Sequence, residues 1–267
     1  MLSFKGYITE MAQQGFVYEV NAAKALKAHD IVPKGFTPAG AGSDIPDLMI
    51  KLPGPGQRPV GCELKISAAS AGSLVMKWDA KAGWTIGDPK STDDEKLFIQ
   101  DLAKEVGVLD LIKNKWKSVP YKYMDAKQKM LPQNDMQGMD KRQIYKSELN
   151  RFPEIKGTIA AAKIEQYYNV KKTYYVNVGT AGFYLLGKKN PLGFAGLPSF
   201  GDKAKAQYRA RVQAKGAGNY QFTFEMGFSI PRGNFSPYNI APTGGKGVTI
   251  KTDLMPKTLK DLFGIES

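Results

Sequence analysis

The sequence predicts an α/β protein in which a mixed central sheet is flanked by helices. Short apolar segments with period-two alternation, such as GCELKIS (61–67), are typical of strands. Ala-rich segments with apolar residues every three or four positions, such as FVYEVNAAKALKAH (16–29), are typical of helices. The chain has 267 residues, of which 42% are hydrophobic, and this is enough for one large domain or two small ones.

The first part of the chain, residues 1–80, predicts one helix followed by three strands. The helix covers 16–29, and Pro33 and Gly35 end it. The segments 47–52 (DLMIKL) and 60–67 (VGCELKIS) predict strands, and the turn-rich PGPGQRP between them indicates a hairpin. A third strand is expected at 73–78 (SLVMKW).

The remaining chain predicts a helical insertion and then the rest of the sheet. Residues 81–157 are rich in Lys and Asp and contain several helical patterns. Residues 158–267 are expected to complete the sheet as a β-rich C-terminal part. A helix is predicted over 157–170, a long hairpin is formed by 204–215 and YQFTFEMGFSI, and a short helix ends the chain. Ala, Lys, Gln and Arg are good helix formers, so a helix over 202–214 is an alternative. We expect one compact domain.

Composition excludes several kinds of site. With one cysteine, Cys62, and one histidine, His29, the chain forms no internal disulfide and no Cys/His zinc cluster, and a catalytic triad would have to use His29. A metal is therefore expected on carboxylates, which favour Mg²⁺ or Mn²⁺. No apolar segment approaches a membrane span, and MLSFKGYITE lacks a secretory pattern, so we expect a cytoplasmic protein without a membrane partner. The net charge of +13 indicates a polyanionic partner, commonly nucleic acid.

An acid and a base lie side by side in the second predicted strand. Glu63 and Lys65 are two residues apart, so they point to the same face. Asp47 opens the preceding strand, and a hairpin can bring its carboxylate close to that of Glu63. Two anions at short range repel each other unless a cation lies between them, and hard divalent cations take oxygen ligands. Lys65 would then lie beside the metal, where it can stabilise charge on a phosphate.

Pro46-Asp47 followed by Glu63-Leu64-Lys65 resembles the PD-(D/E)xK nuclease motif, over roughly residues 15–80. The resemblance implies a restriction-endonuclease-like core and Mg²⁺-dependent hydrolysis of DNA, with Mn²⁺ as a substitute. Asp47, Glu63 and the backbone carbonyl of Leu64 would hold the metal, and Glu19 on the first helix would support it through water. Many members of the family act as homodimers to cut both strands.

Two alternatives accompany this motif. The D/E-x-K pattern also occurs elsewhere, for example as DAK at 79–81, although without an alternating strand and a preceding Pro-Asp. The pair Glu63 and Lys65 could also belong to an exposed cross-strand salt ladder. Asp44 competes with Asp47, since SDIPD offers both acids.

A candidate DNA-binding strip lies on one face of 204–215 if that segment is a strand. Arg and Gln can read base edges, and Lys favours phosphate. The strip consists of Lys205, Gln207, Arg209, Arg211 and Lys215, with Gln213 on the same face.

The sequence therefore predicts a metal-dependent DNA endonuclease. Its compact, Lys-rich character resembles that of phage-encoded proteins, which act in the cytoplasm of the host cell. Sequence-specific and structure-selective cleavage are both open. The alternative from another class is a non-catalytic DNA-binding accessory protein on a nuclease-like fold.

Overall fold

The computed structural model describes residues 4–38, 46–52, 54, 56–67, 69–123, 141–215, 219–240 and 254–266. It divides into two compact units. The first unit comprises Met1–Thr9, Ala71–Thr158 and Gln207–Met226, and the second comprises Glu10–Ser70, Ile159–Ala206 and Gly227–Ser267.

The described chain is mixed α/β, which confirms the predicted class, but its strands form two sheets instead of the single central sheet that we expected. Its helices are α1 (Phe4–Lys27), α2 (Asp94–Glu105), α3 (Val108–Lys115), α4 (Lys141–Arg151), α5 (Ala161–Val170), α6 (Phe200–Lys203) and α7 (Leu254–Phe263). Its strands are β1 (Leu48–Ile50), β2 (Val60–Lys65), β3 (Ala69–Asp79), β4 (Gly83–Ile86), β5 (Ile155–Ile159), β6 (Thr173–Val178), β7 (Gly182–Leu185), β8 (Lys205–Ala214) and β9 (Tyr220–Ser229).

The four-stranded sheet of the second unit is mixed and has the order β1-β2-β6-β7. β1 pairs with β2 antiparallel, as the short connection between them predicts, and β6 pairs with β7 antiparallel. β2 and β6 are parallel neighbours. Parallel neighbours need a crossover connection, and this one ends with α5, which immediately precedes β6.

The core of the second unit lies where this sheet meets the surrounding helices. Cys62 and Leu64 of β2 are buried, and Cys62 is a free thiol. The apolar cluster around them includes Leu26, Ile31, Leu48, Ile50, Tyr175 and Phe183. Residues 61–64 of β2 are buried on both faces, so the carboxylate of Glu63 is held in a low-dielectric setting.

The second sheet has the order β4-β3-β9-β8-β5. Alternate residues of β8, from Ala206 to Val212, are buried, and the segment is a strand rather than the alternative helix. The backbone N–H of Lys215 donates to the carbonyl of Asn219 at 2.7 Å, where β8 gives way to its neighbour β9.

Aromatic packing forms the core of the first unit. The rings of Trp84 and Phe222 have centroids 4.7 Å apart, and those of Trp84 and Trp116 are 5.2 Å apart. The indole N–H of Trp116 donates to the carbonyl of Pro153 at 2.9 Å, so its one polar group is satisfied.

Two sequence-based boundaries need correction. The helix predicted over 157–170 begins at Ala161, because the β-branched residues of Ile155–Ile159 form β5 and Ala160 has an extended backbone. The segment 81–157, predicted to be helical, contains α2, α3 and α4 but also β4, which pairs with β3.

Candidate metal and catalytic site

The register of the β1–β2 hairpin places the two predicted acids opposite each other. Leu48 pairs with Cys62 in this antiparallel ladder, so Asp47 and Glu63 are the next opposed positions. Directly opposed residues of antiparallel strands have their Cβ atoms about 5 Å apart and point to the same face. The hairpin thus brings both carboxylates to one side of the sheet, as the sequence predicted.

Asp47 is held in place by the neighbouring strand. Its Oδ2 accepts a hydrogen bond from the backbone N–H of Leu64 at 2.9 Å. A glycine makes this approach possible, because a Cβ on Gly61 would lie 2.7 Å from Cγ of Pro46 and 2.9 Å from the carbonyl oxygen of Lys172. Pro46-Asp47 therefore packs against β2 where any larger residue at position 61 would force it away.

Lys65 bridges the two acids. Its ammonium contacts Oε1 of Glu63 directly and lies 3.8 Å from Oδ2 of Asp47. The Glu63 side chain is only 3% exposed, whereas Lys65 is 20% exposed and Asp47 17%. The burial of Glu63 excludes the exposed salt ladder that we considered as an alternative.

Helix α5 adds two groups that the sequence analysis did not assign to this site. Nζ of Lys171, at the C-terminal end of the helix, lies 4.0 Å from Oε2 of Glu63. Tyr168 is fully buried, and no described residue hydrogen-bonds to its hydroxyl. The parallel pairing of β2 with β6 brings the end of α5 to Glu63, and no local sequence pattern reveals that pairing.

The electrostatics of the site reflect a surplus of buried negative charge. Burial, followed by the charge of Glu63, raises the pKa of Asp47 to about 6. Burial, together with the charges of Asp47 and Glu63, raises the pKa of Glu19 to about 7. Burial alone would raise the pKa of Glu63, but the ammoniums of Lys65 and Lys171 hold it below its ordinary value.

The pKa values of Lys65 and Tyr168 are also shifted. Burial opposes the charged form of Lys65, but the Glu63 carboxylate holds the pKa of Lys65 well above its ordinary value. Burial raises the pKa of Tyr168, and the charges of Lys65, Glu63 and Asp47 also act on it. Tyr168 is therefore a neutral hydroxyl within the electrostatic reach of all three charged groups.

The chemical type of the donor atoms suits a hard divalent cation. Its groups are carboxylate oxygens, and among the described residues Oε2 of Glu63 and Oε2 of Glu19 are buried without a hydrogen-bond partner. No three His, Cys, Asp or Glu side chains of the described chain are already arranged to hold a metal ion. The Lys65 ammonium lies between Asp47 and Glu63, so a cation bound by both acids would have to displace it from Glu63.

The candidate DNA-binding strip is partly engaged within the first unit. Glu225 on the neighbouring strand β9 is 1% exposed, and its Oε1 lies 2.5 Å from Nη2 of Arg209 and 3.0 Å from Nη2 of Arg211. Nε of Arg209 also lies 3.7 Å from Glu154. Both arginines are therefore paired with a buried acid, while their side chains stay 25% and 31% exposed, and their contact with DNA stays a prediction.

The other predicted site residues that the structure describes lie outside these two clusters of charged side chains. Lys205 and Lys215, at the two ends of the strip, are exposed, and Gln207 is half-buried. Asp44, the competitor of Asp47, lies outside the described residues. In the part of the chain that the structure describes, no helix is both long and apolar enough to cross a membrane.

Comparisons with protein-family models, with curated protein sequences and with solved structures gave no match.

Proposed function

We propose that this chain is a Mg²⁺-dependent deoxyribonuclease that hydrolyses phosphodiester bonds at the site formed by Asp47, Glu63 and Lys65. One observation supports this most strongly. Two acids from adjacent strands converge on a single lysine, with the Lys65 ammonium in contact with Glu63 and 3.8 Å from Asp47. The net charge of +13 suits DNA as the substrate.

The carboxylates of Asp47 and Glu63, with the backbone carbonyl of Leu64, would hold the cation. A divalent ion bound there would lower the pKa of a coordinated water and polarise the scissile phosphate. Asp47 is already oriented for this role by the Leu64 N–H. Glu19, whose Oε2 is buried without a hydrogen-bond partner among the described residues, would accept a hydrogen bond from water at the site.

Lys65 would act on the substrate. Its ammonium is close to both acids and one-fifth exposed, so it can reach a phosphate that enters from solvent. A fixed positive charge at this point stabilises the additional negative charge that develops on phosphate oxygens in the transition state. Burial opposes its charged form, but the neighbouring carboxylates hold the pKa of Lys65 well above its ordinary value in the metal-free protein, so it begins the reaction as an ammonium.

The element order of the second unit agrees with a restriction-endonuclease-like core, which we include in the proposal. Helix α1 contains Glu19, β1 and β2 supply the acids and the lysine, and α5 returns the chain to the mixed sheet at β6. The long segment between β2 and α5 then belongs to an insertion. The proposal also includes that the protein is phage-encoded and acts as a homodimer in the host cytoplasm.

Removing Lys65 tests the proposed chemistry. We expect Lys65→Ala to lower the rate of Mg²⁺-dependent nicking of supercoiled plasmid by about 1,000-fold, the scale of losing one transition-state charge stabiliser. Metal binding and DNA binding should persist. Lys104→Ala is the matched control, because it removes an ammonium from an exposed ion pair with Asp101. Equal nicking by both variants, or nicking that survives EDTA, would refute the proposal.

A non-catalytic DNA-binding protein is the second candidate. The direct contact of Lys65 with a buried Glu63 favours it, since an ion pair of this kind can also have a purely structural role. This candidate predicts DNA binding without cleavage in Mg²⁺ or Mn²⁺. It also predicts that Lys65→Ala destabilises the fold and leaves DNA affinity unchanged.

A further inference from the structure

Lys65 occupies one of the acids that the proposed function assigns to the cation. Its ammonium contacts Oε1 of Glu63, and no described residue hydrogen-bonds to Oε2 of the same carboxylate. A divalent cation that arrives at Glu63 competes with this ammonium for the carboxylate. Lys65 must then find another partner, because a partly buried ammonium without a hydrogen-bond acceptor is unfavourable. The inference that follows rests on the proposed function.

Helix α5 presents a candidate acceptor. Tyr168 lies in the last turn of α5, and Lys171, three residues later, caps the C-terminal end of the helix. Nζ of Lys171 lies 4.0 Å from Oε2 of Glu63, and the charges of Lys65, Glu63 and Asp47 act on the pKa of Tyr168, so this end of α5 lies at the acidic site. The Tyr168 side chain is fully buried, and its hydroxyl has no hydrogen-bond partner in the described chain.

A buried hydroxyl without a partner calls for an explanation, because buried polar groups are nearly always hydrogen-bonded. A tyrosine oxygen can accept a hydrogen bond from an ammonium, and a lysine has a flexible four-carbon stem that can move between two acceptors. Phenylalanine would fill the same space without the unfavourable burial of a polar atom. The presence of tyrosine at this position is therefore informative.

We propose that Tyr168 is a positioning residue whose hydroxyl accepts the Lys65 ammonium when a divalent cation binds Glu63. Lys65 thus has two positions. In the metal-free protein it neutralises Glu63, and in the metal-bound protein it is held by Tyr168, next to the cation and available to the phosphate. Tyr168 acts through Lys65 and contacts neither metal nor DNA.

The substitution Tyr168→Phe tests this role by calorimetric titration with Mn²⁺. We expect the Mn²⁺ affinity to fall about tenfold, the scale of losing one hydrogen bond to a charged group. The kcat for plasmid cleavage should fall by a similar factor while the KM for DNA is unchanged. The thermal unfolding midpoint of the metal-free variant should be equal to or higher than that of the wild type, because the deleted hydroxyl has no partner there.

Two further variants keep the inference testable. Tyr167→Phe is the matched control, since it removes a neighbouring hydroxyl and retains the ring that lies 5.9 Å from Nζ of Lys171. Lys65→Met removes the competing ammonium, and in that background Tyr168→Phe should not change the Mn²⁺ affinity further. This second comparison separates positioning of Lys65 from any general effect of the substitution on packing.

The outcomes distinguish this inference from the proposed function. If the wild type binds Mn²⁺ and cuts DNA while Tyr168→Phe binds Mn²⁺ equally well, only the role of Tyr168 is refuted. An equal loss of affinity with and without Lys65, or a lower unfolding midpoint with unchanged affinity, also overturns it. If the wild type neither binds Mn²⁺ nor cuts DNA, the proposed function fails and this inference fails with it.

Discussion

Two buried glutamates, Glu63 in the second unit and Glu225 in the first, are each flanked by two basic side chains. Glu63 is 2% exposed and lies near Lys65 and Lys171, and Glu225 is 1% exposed and lies near Arg209 and Arg211. By burial and local composition the two clusters are alike. They differ in their charge balance.

The cluster around Glu225 is neutralised from within. Both guanidinium groups reach the same carboxylate oxygen, at 2.5 and 3.0 Å, and Glu154 is the second acid of this group. The cluster around Glu63 contains three acids, Glu63, Asp47 and Glu19, against the two ammoniums of Lys65 and Lys171. Burial and the neighbouring acids raise the pKa values of Asp47 and Glu19. The cation site is therefore proposed at the cluster with a surplus of carboxylates, and the cluster whose charges balance is given a structural role.

Removing the charge of Glu225 should give the largest effect on stability. We expect Glu225→Gln to lower the free energy of unfolding by about 3 kcal/mol, because two partly buried guanidiniums lose their shared partner. Urea denaturation measures this change. Glu154→Gln is the control, since Glu154 is 37% exposed and its ion pair should contribute less than about 1 kcal/mol. Equal effects of the two substitutions would show that burial of Glu225 has little energetic weight.

Asp47→Asn should act in the opposite direction. The pKa of Asp47 is raised to about 6, so the folded protein holds this proton more tightly than the unfolded chain does. The wild type should therefore lose stability as the pH rises from about 4, the ordinary carboxyl pKa, through about 6. Asn cannot ionise but can still accept the Leu64 N–H, so the variant should be about 2 kcal/mol more stable than the wild type at pH 8 without metal.

Urea denaturation of both proteins at pH 4.5 and pH 8, with EDTA present, checks this prediction. The acids Glu19 and Glu63 and the ammoniums of Lys65 and Lys171 remain in both proteins, so the difference between them reports the charge of Asp47 together with its effect on the pKa of Glu19. Addition of Mg²⁺ should stabilise the wild type at pH 8 and have little effect on the variant. A variant that is less stable than the wild type at both pH values would contradict the surplus of negative charge at this site.

The sequence was sufficient to predict the part of the site that depends on local pairing. Period-two alternation placed Glu63 and Lys65 on one face, and a hairpin between neighbouring strands could bring Asp47 close to Glu63. The structure adds the register, in which Leu48 is opposite Cys62. The strand at 204–215 was predictable for the same reason, because strict alternation places alternate residues on the buried face.

The rest depended on pairing between segments that are distant in the chain. Lys171 and Tyr168 reach the site because β6 pairs with β2. The register between these two strands cannot be predicted from the sequence of either one. Arg209 and Arg211 are a different case, because β8 and β9 are consecutive strands of the predicted hairpin, and what the prediction lacked was the buried acid Glu225 on β9. One signal was present, since Glu225 is the single acid within the apolar strand YQFTFEMGFSI, and a buried acid there needs a basic neighbour.

Calorimetric titration of the metal-free protein with Mn²⁺ tests the central claim, that Asp47 and Glu63 together hold a divalent cation, most directly. The account predicts binding by the wild type and by Glu225→Gln, provided that the latter is folded at the temperature used. It predicts the loss of that binding in Glu63→Gln and in Asp47→Asn. Mn²⁺ binding that persists in both of these variants, or its absence from the wild type, would contradict it.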